Sequence, residues 1–129
     1  MNVYEHLIPA QRREVARVSL HALGAHRADH RRLDVRCSRS HHVAAVYDTS
    51  SGLVYAASAG TQAHGSRARV DTPHHGDRHG AEHVDLLTEI DTRVMDDRLP
   101  AWCGCGPRTL SRADLRRAIA DGERHVQLL

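Results

Sequence analysis

Residues 42–59 read HVAAVYDTSSGLVYAASA. Two β-prone runs, His42 to Asp48 and Leu53 to Ala59, flank the polar tetrapeptide Thr49-Ser50-Ser51-Gly52. A short polar loop ending in glycine between such runs predicts a β-hairpin. The hairpin decides the fold class, because the segments on either side must pack against it. Just upstream, Leu33 to Cys37 (LDVRC) alternates apolar and polar residues, as a half-buried strand does. Further out, residues 9–24 predict a helix. Pro9 suits its first turn, Val15, Val18, Ala22 and Leu23 share a face, and Gly24 marks the stop. Residues 25–32 (AHRADHRR) read as a polar, basic connection.

Downstream, residues 60–81 hold four Gly, four His and one Pro without periodicity. They predict a long loop, either mobile or ordered by something it binds. Residues 82–92 (EHVDLLTEIDT) place Val84, Leu87 and Ile90 three apart and predict a helix. The tail is well specified. Ser111 and Asp114 stand in the capping-box arrangement, with Asp in place of Glu, and Leu110 and Leu115 occupy the hydrophobic-staple positions. Leu115, Ala118 and Ile119 form an apolar stripe, Gly122 ends the helix, and His125 to Leu129 predict a last short strand. The fold class is therefore α+β, one domain over residues 1–129. A small antiparallel sheet with a central hairpin is flanked by an N-terminal helix and a capped C-terminal helix.

The chain has 129 residues, of which 40% are hydrophobic and 26% charged, which fits one globular domain. No apolar run is long enough to span a bilayer, and no charged-then-apolar leader opens the chain, so a cytoplasmic protein without a membrane partner is expected. All 18 basic residues are Arg, which looks like codon bias in a GC-rich genome and weakens any argument from Arg abundance alone. The net charge is only +2, but it is unevenly spread. Residues 1–40 hold eight Arg against four acids (+4), residues 41–106 five against nine (−4), and residues 107–129 five against three (+2). This permits a phosphate-contacting face without demanding one. Phe is absent, and Tyr4, Tyr47, Tyr55 and Trp102 are the aromatics, so the core must be built from smaller aliphatic side chains. Such a thin core invites a stabilising metal or a partner subunit, a homo-oligomer included.

Cys103-Gly104-Cys105-Gly106 is the most informative chemical motif. Glycine permits a tight turn in which backbone N–H groups face two thiolates. Cys37 lies far upstream, at the end of a predicted strand and beside His41 and His42. Cys37, Cys103, Cys105 and one of the two histidines would make a three-Cys, one-His tetrahedral set, and thiolates with one imidazole favour Zn²⁺. His41 and His42 point to opposite faces if both lie in the strand, so at most one coordinates. The alternatives are plain packing, since free Cys is a small hydrophobe, or a redox pair, which usually has two residues between its cysteines.

His64, His74, His75, His79 and His83 cluster around the loop, as a solvated polar segment or a second metal site. His79-Gly80-Ala81-Glu82-His83 spells the inverted zincin pattern, in which a helix puts both histidines on one face and Glu82 acts as general base. Asp71 and Asp77 are further carboxylate candidates for a metal-dependent hydrolase.

The segments around His42–Gly60 and Trp102–Arg112 resemble a group of small actinobacterial proteins with a Cys-x-Cys-Gly knuckle and no assigned function. The knuckle followed by a capped helix is also loosely similar to zinc ribbons. The departure is the single-residue spacer and the lone upstream Cys37. The expectation is a small zinc-binding domain, more a protein- or nucleic-acid-interaction module than an enzyme. A hydrolase or a metal sensor or carrier is the alternative. Arg112 and Arg116 share a face of the tail helix that could meet phosphates.

Overall fold

The computed structural model describes residues 8–58, 82–87, 97–103 and 106–129. Pro9 opens helix α1 (Pro9–His21), and the Gln11 side-chain oxygen accepts the Ile8 N–H at 3.1 Å. A short 3-10 helix (Gly24–His30) leads into strand β1 (Arg31–Arg36). Strands β2 (His42–Thr49) and β3 (Gly52–Ser58) form the expected hairpin, with Thr49 paired to Gly52. Gly52 has φ +108°, a conformation that side chains with a Cβ rarely adopt. The Thr49 hydroxyl donates to the Gly52 carbonyl at 2.8 Å and accepts the Ser51 N–H at 3.1 Å. Ser19 of α1 donates to the Ser51 hydroxyl at 2.6 Å, so the helix is pinned to the turn.

Strand β4 (Glu82–Leu86) adds to β3 as an edge strand. The helix expected from Glu82 is therefore a strand through Leu86, and residues 88–92 lie outside the described set. Val84 and Leu86 alternate with Asp85 and pair with Ala56 and Val54 on one face. That fit to an available strand edge outweighs a helical spacing of three, since period two and period 3.6 share several apolar positions in so short a run.

Strands β5 (Arg98–Cys103) and β6 (Gly106–Ser111) form a separate two-stranded hairpin that the sequence reading did not foresee. Pro100 and Pro107 obscure it, but a two-stranded ribbon has unpaired edges where proline is tolerated. Helix α2 (Arg112–Ala120) follows, and the Ser111 hydroxyl accepts the Asp114 N–H at 3.1 Å, as the capping pattern requires. Its C-terminus closes with Gly122 at φ +83°, Gly122 N–H to Ile119 O at 3.0 Å and Glu123 N–H to Ala118 O at 3.0 Å. The chain then enters β7 (His125–Gln127), which pairs parallel with β1. The main sheet runs β4-β3-β2-β1-β7, five strands with that one parallel pair, where a smaller, purely antiparallel sheet was expected.

The sheet has two cores. On one face α1 packs over β4, β3 and β2, burying Ala16 and Leu20 against Ala45, Tyr47, Val54, Ala56, Val84 and Leu86. On the other, the β5–β6 hairpin and α2 bring Leu99, Ala101, Leu110, Leu115 and Ile119 against Leu33, Val35, Val46 and Tyr55. The Tyr55 hydroxyl donates to the Pro100 carbonyl at 2.7 Å, and burial pushes its pKa well above the ordinary phenol value. The buried face of α1 is offset from the expected one. Val18 is 58% exposed, while Arg12, Ala16, Ser19 and Leu20 are buried.

Arg12 explains the offset. Its guanidinium reaches Asp85 of the edge strand, Nε to Oδ1 at 2.7 Å and the terminal nitrogen to Oδ2 at 3.3 Å. Arg112, the first residue of α2, reaches Asp85 Oδ2 from the other face at 3.2 Å and donates to the Leu86 carbonyl. All three side chains are buried. Asp97 sits beside them: its backbone carbonyl accepts the Arg112 N–H at 2.7 Å, and its carboxylate accepts the Ser111 hydroxyl at 2.7 Å and the Ala113 N–H at 2.8 Å. Replacing Asp85 with Asn leaves two buried guanidiniums facing a neutral amide. The expected loss is about 3–5 kcal/mol, read as a lower urea midpoint. Tyr55→Phe is expected to cost only about 1 kcal/mol, because it removes one neutral hydrogen bond.

Candidate functional site

The turn after β1 is built around a thiol. The Ser40 N–H donates to the Cys37 carbonyl at 2.8 Å, and the Cys37 N–H donates to the His41 carbonyl at 2.9 Å. Inside this loop the Arg39 N–H points at Cys37 Sγ, 3.4 Å away. Closure places Ser40 at φ +66°, in the left-handed region where residues with a Cβ are uncommon. The turn carries Cys37 and His41 with three residues between them, within the ligand spacing of metal knuckles. An N–H directed at sulfur stabilises thiolate over thiol.

Cys37 and Cys103 are both fully buried, in the same continuous core. Cys103 is the last residue of β5 and pairs with Gly106, so Gly104 and Cys105 are the residues between the two strands. Cys105 lies outside the described residues. His41 is half-buried and its Nδ1 atom is buried. Among the described residues, no group of three or more His, Cys, Asp or Glu side chains is arranged to hold an ion. The donor chemistry of Cys37, His41 and Cys103 nevertheless suits a soft divalent metal.

His42 lies elsewhere. Leu33, Val35 and Cys37 face the hairpin core, whereas Asp34 and Arg36 face the other way, and His42 pairs with Arg36. His42 Nδ1 is 3.3 Å from Asp34 Oδ1, on the side of β1 away from Cys37. Arg36 Nε donates to Asp34 Oδ2 at 2.7 Å, and the parallel β1–β7 pairing sets His125 Nδ1 at 3.9 Å from the same oxygen. Burial alone would raise the Asp34 carboxyl, but the hydrogen bonds and charges of Arg36 and His42 more than offset it and hold it below the usual carboxylate range. Burial lowers the His42 imidazole, against the opposing pull of Asp34. The alternation of LDVRC marks Asp34 as outward-facing, but no local signal brings His125 to it.

The inverted zincin pattern is not assembled as a helix over its described part. Glu82 and His83 are consecutive residues of β4 and face opposite sides. Glu82 accepts from Arg27 at 2.6 Å on the α1 side. His83 sits edge-on to Tyr55 on the other, its Nε2 buried without a hydrogen-bond partner among the described residues, and burial lowers its pKa. His64, Asp71, His74, His75, Asp77 and His79 lie outside the described residues. The tail-helix pair also separates: Arg112 is buried on Asp85, so it does not join Arg116 on a surface.

The chain matches no protein-family model, no curated protein and no solved structure. Its function is therefore argued from these residues alone.

The Asp34 cluster makes a statement about acid stability. A carboxyl whose folded pKa is depressed contributes stability above its ordinary range and loses it as pH falls through the folded value. The urea midpoint is expected to fall as pH drops through and below the ordinary carboxyl range, about pH 4. Asp34→Asn should be less stable at neutral pH, with its gap to the parent closing on acidification. A gap that stays constant with pH would show that Asp34 does not titrate in the folding equilibrium.

Proposed function

We propose that the chain is a small zinc-binding domain whose ion is structural and whose work is binding a partner. Cys37 and His41 of the turn after β1 would hold the ion together with Cys103 and Cys105 of the β5–β6 hairpin. The observation that carries this reading is the burial of Cys37 and Cys103 in one core, with a backbone N–H directed at the Cys37 sulfur. Two distant thiols packed as mere hydrophobes would not need that N–H. Zinc supplies four-coordinate closure when bound, and such closure can contribute folding energy outright. Here it would tie the end of β1 to the end of β5, joining the main sheet to the hairpin that covers it.

A reducing, cytoplasmic setting would suit cysteine metal ligands of this kind. No helix among the described residues is long and apolar enough to cross a membrane. A metal-dependent hydrolase draws no support from Glu82 and His83, which a strand holds apart. The partner would be a protein, a nucleic acid or a second copy of the chain.

Elemental analysis of untagged protein purified without added metal tests the reading. About one zinc per chain is expected. Cys103→Ser combined with Cys105→Ser should lose the zinc and, with it, cooperative unfolding. A chelator should reproduce that loss in the parent. A well-folded parent without metal, even after zinc is offered during refolding, would overturn the proposal.

A further inference from the structure

On the hairpin side of the sheet, β3 and β4 bring three polar side chains together. The register sets Tyr55 beside Asp85 and Ala57 beside His83, and residues two apart on a strand share a face, so Tyr55, Asp85 and His83 are neighbours. The two layers are joined here. Tyr55 donates to the carbonyl of Pro100 on β5, and Asp85 accepts from Arg112 of α2. His83 lies edge-on to Tyr55, with 6.2 Å between ring centroids, and its Nε2 is buried with no hydrogen-bond partner among the described residues.

A neutral imidazole tolerates this, because its proton can sit on Nδ1 and leave a lone pair at Nε2. An imidazolium carries a proton on both nitrogens, so a buried N–H would be left without an acceptor. The surroundings oppose the second proton as well. Burial is the largest influence and lowers the His83 pKa; Asp85 on the same strand opposes it, and Arg13 and Arg12 of α1 and Arg112 of α2 add to it. Tyr55 stays neutral, since burial pushes its pKa well above the phenol value. Asp85 is already shared between Arg12 and Arg112, and Asp97 accepts from Ser111 and Ala113 at the start of α2. A protonated His83 would compete with both arginines for the carboxylate that clasps the layers.

We propose that His83 is an acid-sensitive latch, whose protonation loosens the β5–β6 hairpin and α2 from the edge of the main sheet. A base that the fold holds neutral takes up its proton when the layers part. Its contribution to stability is therefore full above about pH 6.5, the ordinary histidine value, and is lost as pH falls below it. That window lies above the carboxyl range in which Asp34 acts, so the two effects are separable. The latch acts on the layer that carries Cys103, but it does not depend on a bound metal.

The test is amide hydrogen exchange of the full chain, compared as protection factors at about pH 7 and about pH 5.5. In the parent, protection of the β5 and β6 amides should drop by up to about tenfold, the limit for one proton over one pH unit below the ordinary histidine value. Protection of the β2–β3 hairpin should drop less. His83→Gln cannot be protonated and should lose most of the pH dependence. His30→Gln, which removes an exposed histidine of the 3-10 helix, should behave as the parent does. The same drop in the parent and in His83→Gln would overturn the proposal, and an equal drop across β2, β3, β5 and β6 would overturn the assignment to one layer. A further reading needs no variant: the His83 ring resonances of the parent should titrate below about pH 6.5, and a midpoint at or above that value would also overturn the latch.

Discussion

A buried carboxylate holds this molecule's layers together. Asp85 lies on the edge strand of the main sheet and receives Arg12 from the helix on one face and Arg112 from the helix that starts on the other. None of the three can leave the arrangement cheaply, because each would be a lone buried charge. Burial lowers the Arg112 pKa against the opposing pull of Asp85, and the nearby Asp97 charge helps to keep that guanidinium protonated. Asp97 also receives the first N–H groups of α2, so the clasp and the helix start are one hydrogen-bonded unit. In a core without Phe, built largely from Ala, Val and Leu, this polar unit also specifies which faces meet.

With the layers set, the remaining chemistry divides by the two sides of β1. One side carries Cys37 into the hairpin core, close to a turn that places His41 four positions on. The other carries a buried Asp34 beneath the exposed Arg36, where His42 and His125 join them. The period of two along a strand makes this division unavoidable: neighbouring functional residues in LDVRC cannot act at the same site. Adjacent histidines are separated in the same way, with His41 in the turn and His42 beside Asp34.

Much of the fold was legible because its signals are local. The β2–β3 hairpin follows from Ser50-Ser51-Gly52, α2 from Ser111 and Asp114 at one end and Gly122 at the other. In each case the residues that determine the element also make its hydrogen bonds. Legibility failed where a partner from elsewhere decides. Val84, Asp85, Leu86 and Leu87 satisfy helical spacing nearly as well as strand alternation, and only the waiting edge of β3 selects the strand. The buried face of α1 differs from the Val15, Val18, Ala22 and Leu23 face that the spacing predicts, because Asp85 takes Arg12 into the core. The β5–β6 hairpin was hidden behind two prolines.

The sequence by itself determined the α+β class, the central hairpin and the capped terminal helix, and it singled out Cys37, His41, His42, Cys103 and Cys105 as candidates. These follow from propensity, turn chemistry and spacing, which act over a few residues. Tertiary structure alone decided that Asp85 joins Arg12 and Arg112, that His125 comes to Asp34 through a parallel strand pair, and that Cys37 and Cys103 share a core. The physical reason is that burial and charge pairing between distant segments depend on which strand lies beside which. No local pattern encodes that order.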